Sequence, residues 1–174
     1  MQNKNIYPLL ILAPISFLLH NFEESLTMVN FVQQNLQRLP VAIRWIEEQL
    51  QLTQTSFLIP VVILTLLLAG LSLRLLFPNP PRWGQFVWSV AMLTLCANAF
   101  IHIAQAVWFG GYTPGVLTAV LLQLPITLLS ARASIRAGWL TKRAAWGWFF
   151  AGFAMVALIS IAALFFGKWV SLLF

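Results

Sequence analysis

Long apolar runs, broken by short polar or proline-rich stretches, set the pattern of this chain. Residues 6–28, 56–77, 85–109, 114–134 and 144–167 each read as a helix long enough to cross a bilayer. The first run is apolar only from Ile6 to Leu19. At 1.5 Å per residue that covers about 21 Å, short of the roughly 30 Å of hydrocarbon. A crossing helix must therefore continue to about Met28, which carries the polar residues after Leu19 into the outer part of the span. Between the first two runs, residues 40–51 alternate on a helical period. Leu39, Ile43, Ile46 and Leu50 share one face, and Arg44, Glu47, Glu48 and Gln51 another, as in a helix lying at an interface. Arg44 beside Glu47 and Glu48 reads as ordinary surface pairing.

The connections are equally legible. Pro78-Asn79-Pro80-Pro81 is a stiff turn, and Gly110-Gly111-Tyr112-Thr113-Pro114-Gly115 a tight one. Thr113 is placed to cap the fourth helix, with Pro114 as its first residue. Pro125 inside that helix removes a backbone bond to Leu121 and predicts a kink. The expected fold class is all-α: a single polytopic transmembrane bundle of five spans with one interfacial helix.

Composition agrees. Of 174 residues 60% are hydrophobic and 8% charged, against about 25% charged in soluble domains; mean hydropathy is +0.86. The net charge of +6 comes from ten Lys and Arg scattered through loops and span ends. No basic stripe with interleaved aromatics appears, so nucleic acid is not an expected partner. Placing the N-terminus in the cytoplasm puts Lys4, Arg74, Arg82, Arg132, Arg136, Lys142 and Arg143 inside, and Arg38, Arg44 and Lys168 outside, the asymmetry the positive-inside rule favours. The segment up to Leu19 has no small-residue cleavage site and reads as a retained span. Cys96 is the single cysteine, which rules out an intrachain disulfide and zinc-finger spacings; it reads as a small packed residue.

The candidate chemistry sits in two stripes. His20-Asn21-Phe22-Glu23-Glu24 places His20, Glu23 and Glu24 at i, i+3 and i+4, on one helical face. Asn98, His102 and Gln105 form a second stripe on the third span. Counted from the outer span ends, His20 and His102 both lie about 10–12 Å deep, and Gln123 on the fourth span falls at a similar depth. Intramembrane carboxylates cost about 2.5–3.5 kcal/mol each near the bilayer centre, and no basic residue lies at this depth to offset them. A divalent cation would. His20, Glu23, Glu24 and His102 are the expected metal donors, for zinc or non-haem iron. Glu23 and Glu24 are also the candidate general bases. Asn98, Gln105 and Gln123 are expected behind them, orienting the ligands. His20 and His102 could alternatively grip a non-covalent haem, although carboxylates make poor neighbours for one.

The His20–Glu24 pentapeptide, the Asn98-Ala99-Phe100-Ile101-His102 segment and the Tyr112–Gly115 stretch together resemble a family of bacterial membrane proteins named for an HXXEE motif. The resemblance covers most of the chain and implies a bacterial inner-membrane location; it implies no activity, since the family is uncharacterised. The residues themselves suggest a metalloenzyme acting on a membrane lipid or hydrophobic small molecule. A small proton- or cation-coupled transporter or channel subunit, and a structural assembly factor, are the alternatives. The chain lacks G-x-S-x-G, GxxxxGK[ST] and GxGxxG motifs, and H-x-x-E-E lacks the second histidine of H-E-x-x-H. Gly147 and Ala151 form a small-xxx-small pair on the last span, a pattern suited to contact with a second copy of the chain in a homo-oligomer.

Overall fold

The computed structural model describes residues 6–173, and among these it contains helices and no strand. Helix α1 (Tyr7–Asn35) starts with Pro8 in its first turn, where a missing N–H costs nothing. It runs well past Met28 and ends in a 3-10 turn, Leu36–Arg38. Helix α2 (Val41–Leu50) is the short amphipathic one, closed by Gln51 in the left-handed conformation (φ 47°). Helix α3 (Gln54–Leu76) opens with a reciprocal capping box between Thr53 and Ser56. Helix α4 (Arg82–Phe109) follows the proline turn and stops at Gly110, whose φ of 71° a glycine adopts without steric penalty. Helix α5 spans Val116–Arg136 and helix α6 Lys142–Ser171. The Thr141 side chain caps α6 by accepting from the Ala144 N–H at 3.2 Å.

Helices α1, α3, α4, α5 and α6 are each long and apolar enough to cross a membrane. Helix α1 packs between α3 and α5, while α4 packs against α5 and α6. Helices α1 and α4 thus face each other across the bundle, with α5 between them. Helix α6 lies in the groove of α3 and α4, its remaining surface exposed. Small residues bring it close: Gly152 sits against Ala97 and Thr94, and Gly167 against the Ser56 carbonyl of α3. That carbonyl is free to be approached because Pro60, four residues on, has no N–H to give it.

The start of α5 departs from the local expectation. The helix begins at Val116, after Gly115 in a left-handed conformation (φ 80°), and not at Pro114. The Thr113 hydroxyl is buried without a hydrogen-bond partner and caps nothing; only its carbonyl is used, accepting from the Val116 N–H at 3.1 Å. The cap is supplied instead by a side chain of α1, described below. The kink expected at Pro125 takes the form of a π-helical turn, Ala119–Gln123, in which the Leu124 N–H reaches back to the Ala119 carbonyl. Gln123, the last residue of that turn, is fully buried.

The interior is built in two storeys. At one end, Ile6, Leu9, Leu10 and Ala13 of α1 and its approach pack with Leu68 and Leu75 of α3, Trp88 and Met92 of α4, and Ala133 of α5. Trp88 is fully buried, and its indole N–H donates to the Ser72 hydroxyl at 3.0 Å. At the other end the same helices bring together His20, His102 and Gln123, all buried, with Asn21 buried beside them against α3. There Arg38, beyond the end of α1, donates to the Phe109 carbonyl at 3.0 Å and lies 4.9 Å over the Phe109 ring. Phe31 meets that ring edge to face at 5.0 Å. A cation on the last carbonyls of α4 is favoured by the helix dipole, and it ties α1 to α4 above the polar storey.

Candidate metal site

His20 and Glu24 come from successive turns of α1, and His102 reaches them from α4. The two imidazole rings meet at 4.7 Å between centroids with planes 78° apart. Glu24 stands between them, with Oε1 3.4 Å from His102 Nε2 and Oε2 3.9 Å from His20 Nε2. One donor atom from each of the three residues lies within 4.8 Å of the other two. Binding a metal at about 2.0–2.1 Å per bond would ask each side chain to close in slightly. Both imidazoles are buried and the Glu24 side chain is only 14% exposed. Among the described residues no lysine or arginine pairs with this carboxylate.

The surroundings orient His20 closely. Its Nδ1 is 3.1 Å from the Thr118 hydroxyl and its Nε2 3.3 Å from Asn98 Nδ2. Asn98 Nδ2 also approaches Gln123 Oε1 at 3.4 Å, so two of the three carboxamides expected behind the ligands stand at the cluster. Three buried polar atoms around it lack a hydrogen bond of good geometry: His102 Nδ1, Gln123 Nε2 and the Thr113 hydroxyl. The Pro114 backbone faces the His102 ring without making one to Nδ1. Unpaired buried polar atoms are uncommon, and strain, a catalytic role or a bound water or ion are the usual reasons for them.

Gly115 closes the cluster on the α5 side. A Cβ there would fall 2.7 Å from His20 Cε1, 2.9 Å from Glu24 Cγ and 3.0 Å from His102 Cε1. This position therefore requires glycine twice over, for its positive φ and for the space.

Two expected members lie elsewhere. Glu23 is not among the three gathered donors. It points at the first turn of α5, where its Oε2 accepts from the Thr118 N–H at 2.8 Å and the Thr118 hydroxyl at 2.5 Å. Its Oε1 accepts from the Tyr112 hydroxyl at 2.9 Å and the Leu117 N–H at 3.3 Å. This is the cap that Thr113 does not provide: a carboxylate on the unpaired N–H groups of a helix start, where the dipole favours it. Burial pushes the Tyr112 phenol above its ordinary value, which keeps it a donor to Glu23. Gln105 is exposed and stands outside the cluster; one further turn along α4 from His102 carries it past the bundle interior.

Thr118, Gly115 and Tyr112 are the site residues that spacing along the chain did not single out as such. Each belongs to the segment after α4, whose position against α1 is a matter of tertiary packing. Asn21, inside the pentapeptide, faces away from the cluster and donates to the Thr65 hydroxyl of α3 at 2.7 Å.

Two imidazoles and one carboxylate form the donor set used by the 2-His-1-carboxylate sites of non-haem iron oxygenases and by His₂Glu zinc hydrolases. No curated protein and no solved structure matches the sequence or the fold. A family model described as a protein of unknown function with HXXEE motif matches residues 11–130, spanning both polar stripes and the Tyr112–Gly115 turn, and the chain belongs to that family.

Proposed function

We propose that this protein is an intramembrane metal-binding protein whose single divalent ion, zinc or iron, is held by His20, Glu24 and His102. The observation that carries this reading is the convergence of those three donors within 4.8 Å in a buried site. Two arguments support it. A buried carboxylate with no basic partner costs several kcal/mol unless a cation or a proton compensates it. And the donor set leaves coordination positions for water or a substrate, which is what catalytic sites need and closed structural sites lack.

The chemistry we infer is metal-assisted hydrolysis or oxidation of a hydrophobic or lipid-like molecule. The metal would polarise a substrate oxygen or activate a bound water. The site lies among helices whose outer surfaces are apolar, which supports a substrate that partitions into the bilayer. The distribution of Lys and Arg supports a cytoplasmic N-terminus, with the site toward the outer leaflet of a bacterial inner membrane.

The test is elemental analysis of protein purified in detergent micelles. The expected result is close to one zinc or iron per chain in the wild type. Loss of at least ten-fold is expected in His20→Ala, His102→Ala and Glu24→Gln, with helicity unchanged by circular dichroism. Equal metal content in all four proteins would overturn the reading. One observation favours a second reading: Glu24 lies between two imidazoles, an arrangement that also suits a proton shared in a coupled carrier. Wild type free of metal, together with proton uptake that Glu24→Gln abolishes, would select it.

A further inference from the structure

We infer that Glu23, acting through Thr118, is a positioning residue that fixes the tautomer and orientation of the His20 imidazole, and is not a ligand of the site. The inference rests on the metal-site reading above and deepens it.

The hydroxyl of Thr118 is the hinge of the inference. It has one proton to give. Its nearest acceptor is Glu23 Oε2 at 2.5 Å, a carboxylate already fixed by the Thr118 and Leu117 N–H groups and by Tyr112. The competing acceptor, the Gly115 carbonyl, is at 3.3 Å. Hydrogen bonds to a charged acceptor are shorter and roughly twice as strong as neutral ones, so the proton points to Glu23. The Thr118 oxygen is then an acceptor toward His20 Nδ1, 3.1 Å away, which places the imidazole proton on Nδ1; the Gly115 backbone is a second partner of the ring. Nε2 is left with its lone pair, turned toward the side of the ring where Asn98 Nδ2 lies at 3.3 Å and Glu24 at 3.9 Å. A histidine that binds a metal through one nitrogen commonly donates its other N–H in this way; here the acceptor is a threonine whose own proton is anchored by a carboxylate.

This gives the two glutamates of the pentapeptide separate work. At i+4 from His20, Glu24 shares the inward face and joins the donors. At i+3, Glu23 is rotated toward α5 and reaches the residue that holds the back of the imidazole. The same four bonds fasten the start of α5 to α1, so the cap of one helix and the orientation of a ligand on another are a single arrangement.

The test compares wild type, Thr118→Val and Thr118→Ser in detergent, by zinc titration against a competing chelator. Nitrogen-15 NMR of the histidines in the metal-free proteins is read alongside. Thr118→Val keeps the shape and the backbone N–H to Glu23 but removes the hydroxyl. The expected result is a zinc affinity about 10–100-fold weaker in Thr118→Val, the usual size of such outer-shell losses. Thr118→Ser should restore it, and thermal midpoints should be alike. His20 should show a protonated Nδ1 in wild type and Thr118→Ser, and a mixture of tautomers in Thr118→Val. Wild-type affinity and an unmixed tautomer in Thr118→Val, or failure of Thr118→Ser to rescue, would overturn the inference. If wild type binds no zinc, the metal reading fails instead, and the tautomer comparison alone decides the role of Glu23 and Thr118.

Discussion

In the first half of α1, Leu9, Leu10 and Ala13 pack against Leu68, Leu75, Trp88 and Met92. In the second half of the same helix, His20, Asn21 and Glu23 meet Asn98, Thr65 and Thr118 through hydrogen bonds. The apolar storey is held by area and shape, which tolerate some rearrangement. The polar storey is held by a few directional contacts and by the absence of a side chain at Gly115. Each kind of change should therefore be felt in its own place: volume changes in the first storey should cost stability without touching the site, and small changes at the residues around His20, Glu24 and His102 in the second should disable the site without unfolding the bundle.

The largest effect that would sharpen this contrast is expected from Trp88→Ala. It removes a fully buried side chain and its bond to Ser72, and should cost about 3–5 kcal/mol of stability. Metal content per folded chain should stay at the wild-type level. A selective loss of metal in this variant would break the division between the storeys.

Gly115→Ala should come next. The added methyl would press on His20, Glu24 and His102 at 2.7–3.0 Å, an overpacking cost of about 1–3 kcal/mol, to which the positive φ adds about 1–2 kcal/mol. Metal retention should fall further than thermal stability does, because the three donors are pushed apart. An alanine variant that binds metal normally would show that the turn does not sit where the contacts place it.

The smallest effect is expected at Thr65→Val, which deletes the partner of Asn21 at nearly constant volume. Hydrogen bonds between membrane helices average about 0.6 kcal/mol. Unfolding in a denaturing detergent should shift by about that much, with metal affinity unchanged, since Asn21 faces α3 and not the cluster.

Much of this was legible in the chain. The five long helices and the short amphipathic one follow from hydrophobic runs and their period, which local sequence carries in full. The two polar stripes were visible as well, because His20 with Glu24 and Asn98 with His102 each recur at helical spacing. What spacing could not do was sort the stripes. Glu23 and Glu24 are adjacent and chemically alike, and an i+3 or i+4 offset from His20 places either on the same broad face. Gln105 continues the α4 stripe by period alone, yet is exposed. Thr113 has the composition of a cap and is bypassed because Glu23, from another helix, already occupies the N-terminal N–H groups of α5.

The helical class, the elements and the two segments that carry the chemistry can be read from the chain alone, because hydrophobicity and helical period are properties of neighbours along it. That Glu24 joins His20 and His102, that Glu23 turns to Thr118, and that a glycine lies against all three donors is set by packing between helices. Those choices depend on how α1, α4 and α5 approach one another, and a rotation of a helix by a fraction of a turn, invisible in its composition, is enough to change which carboxylate faces the site.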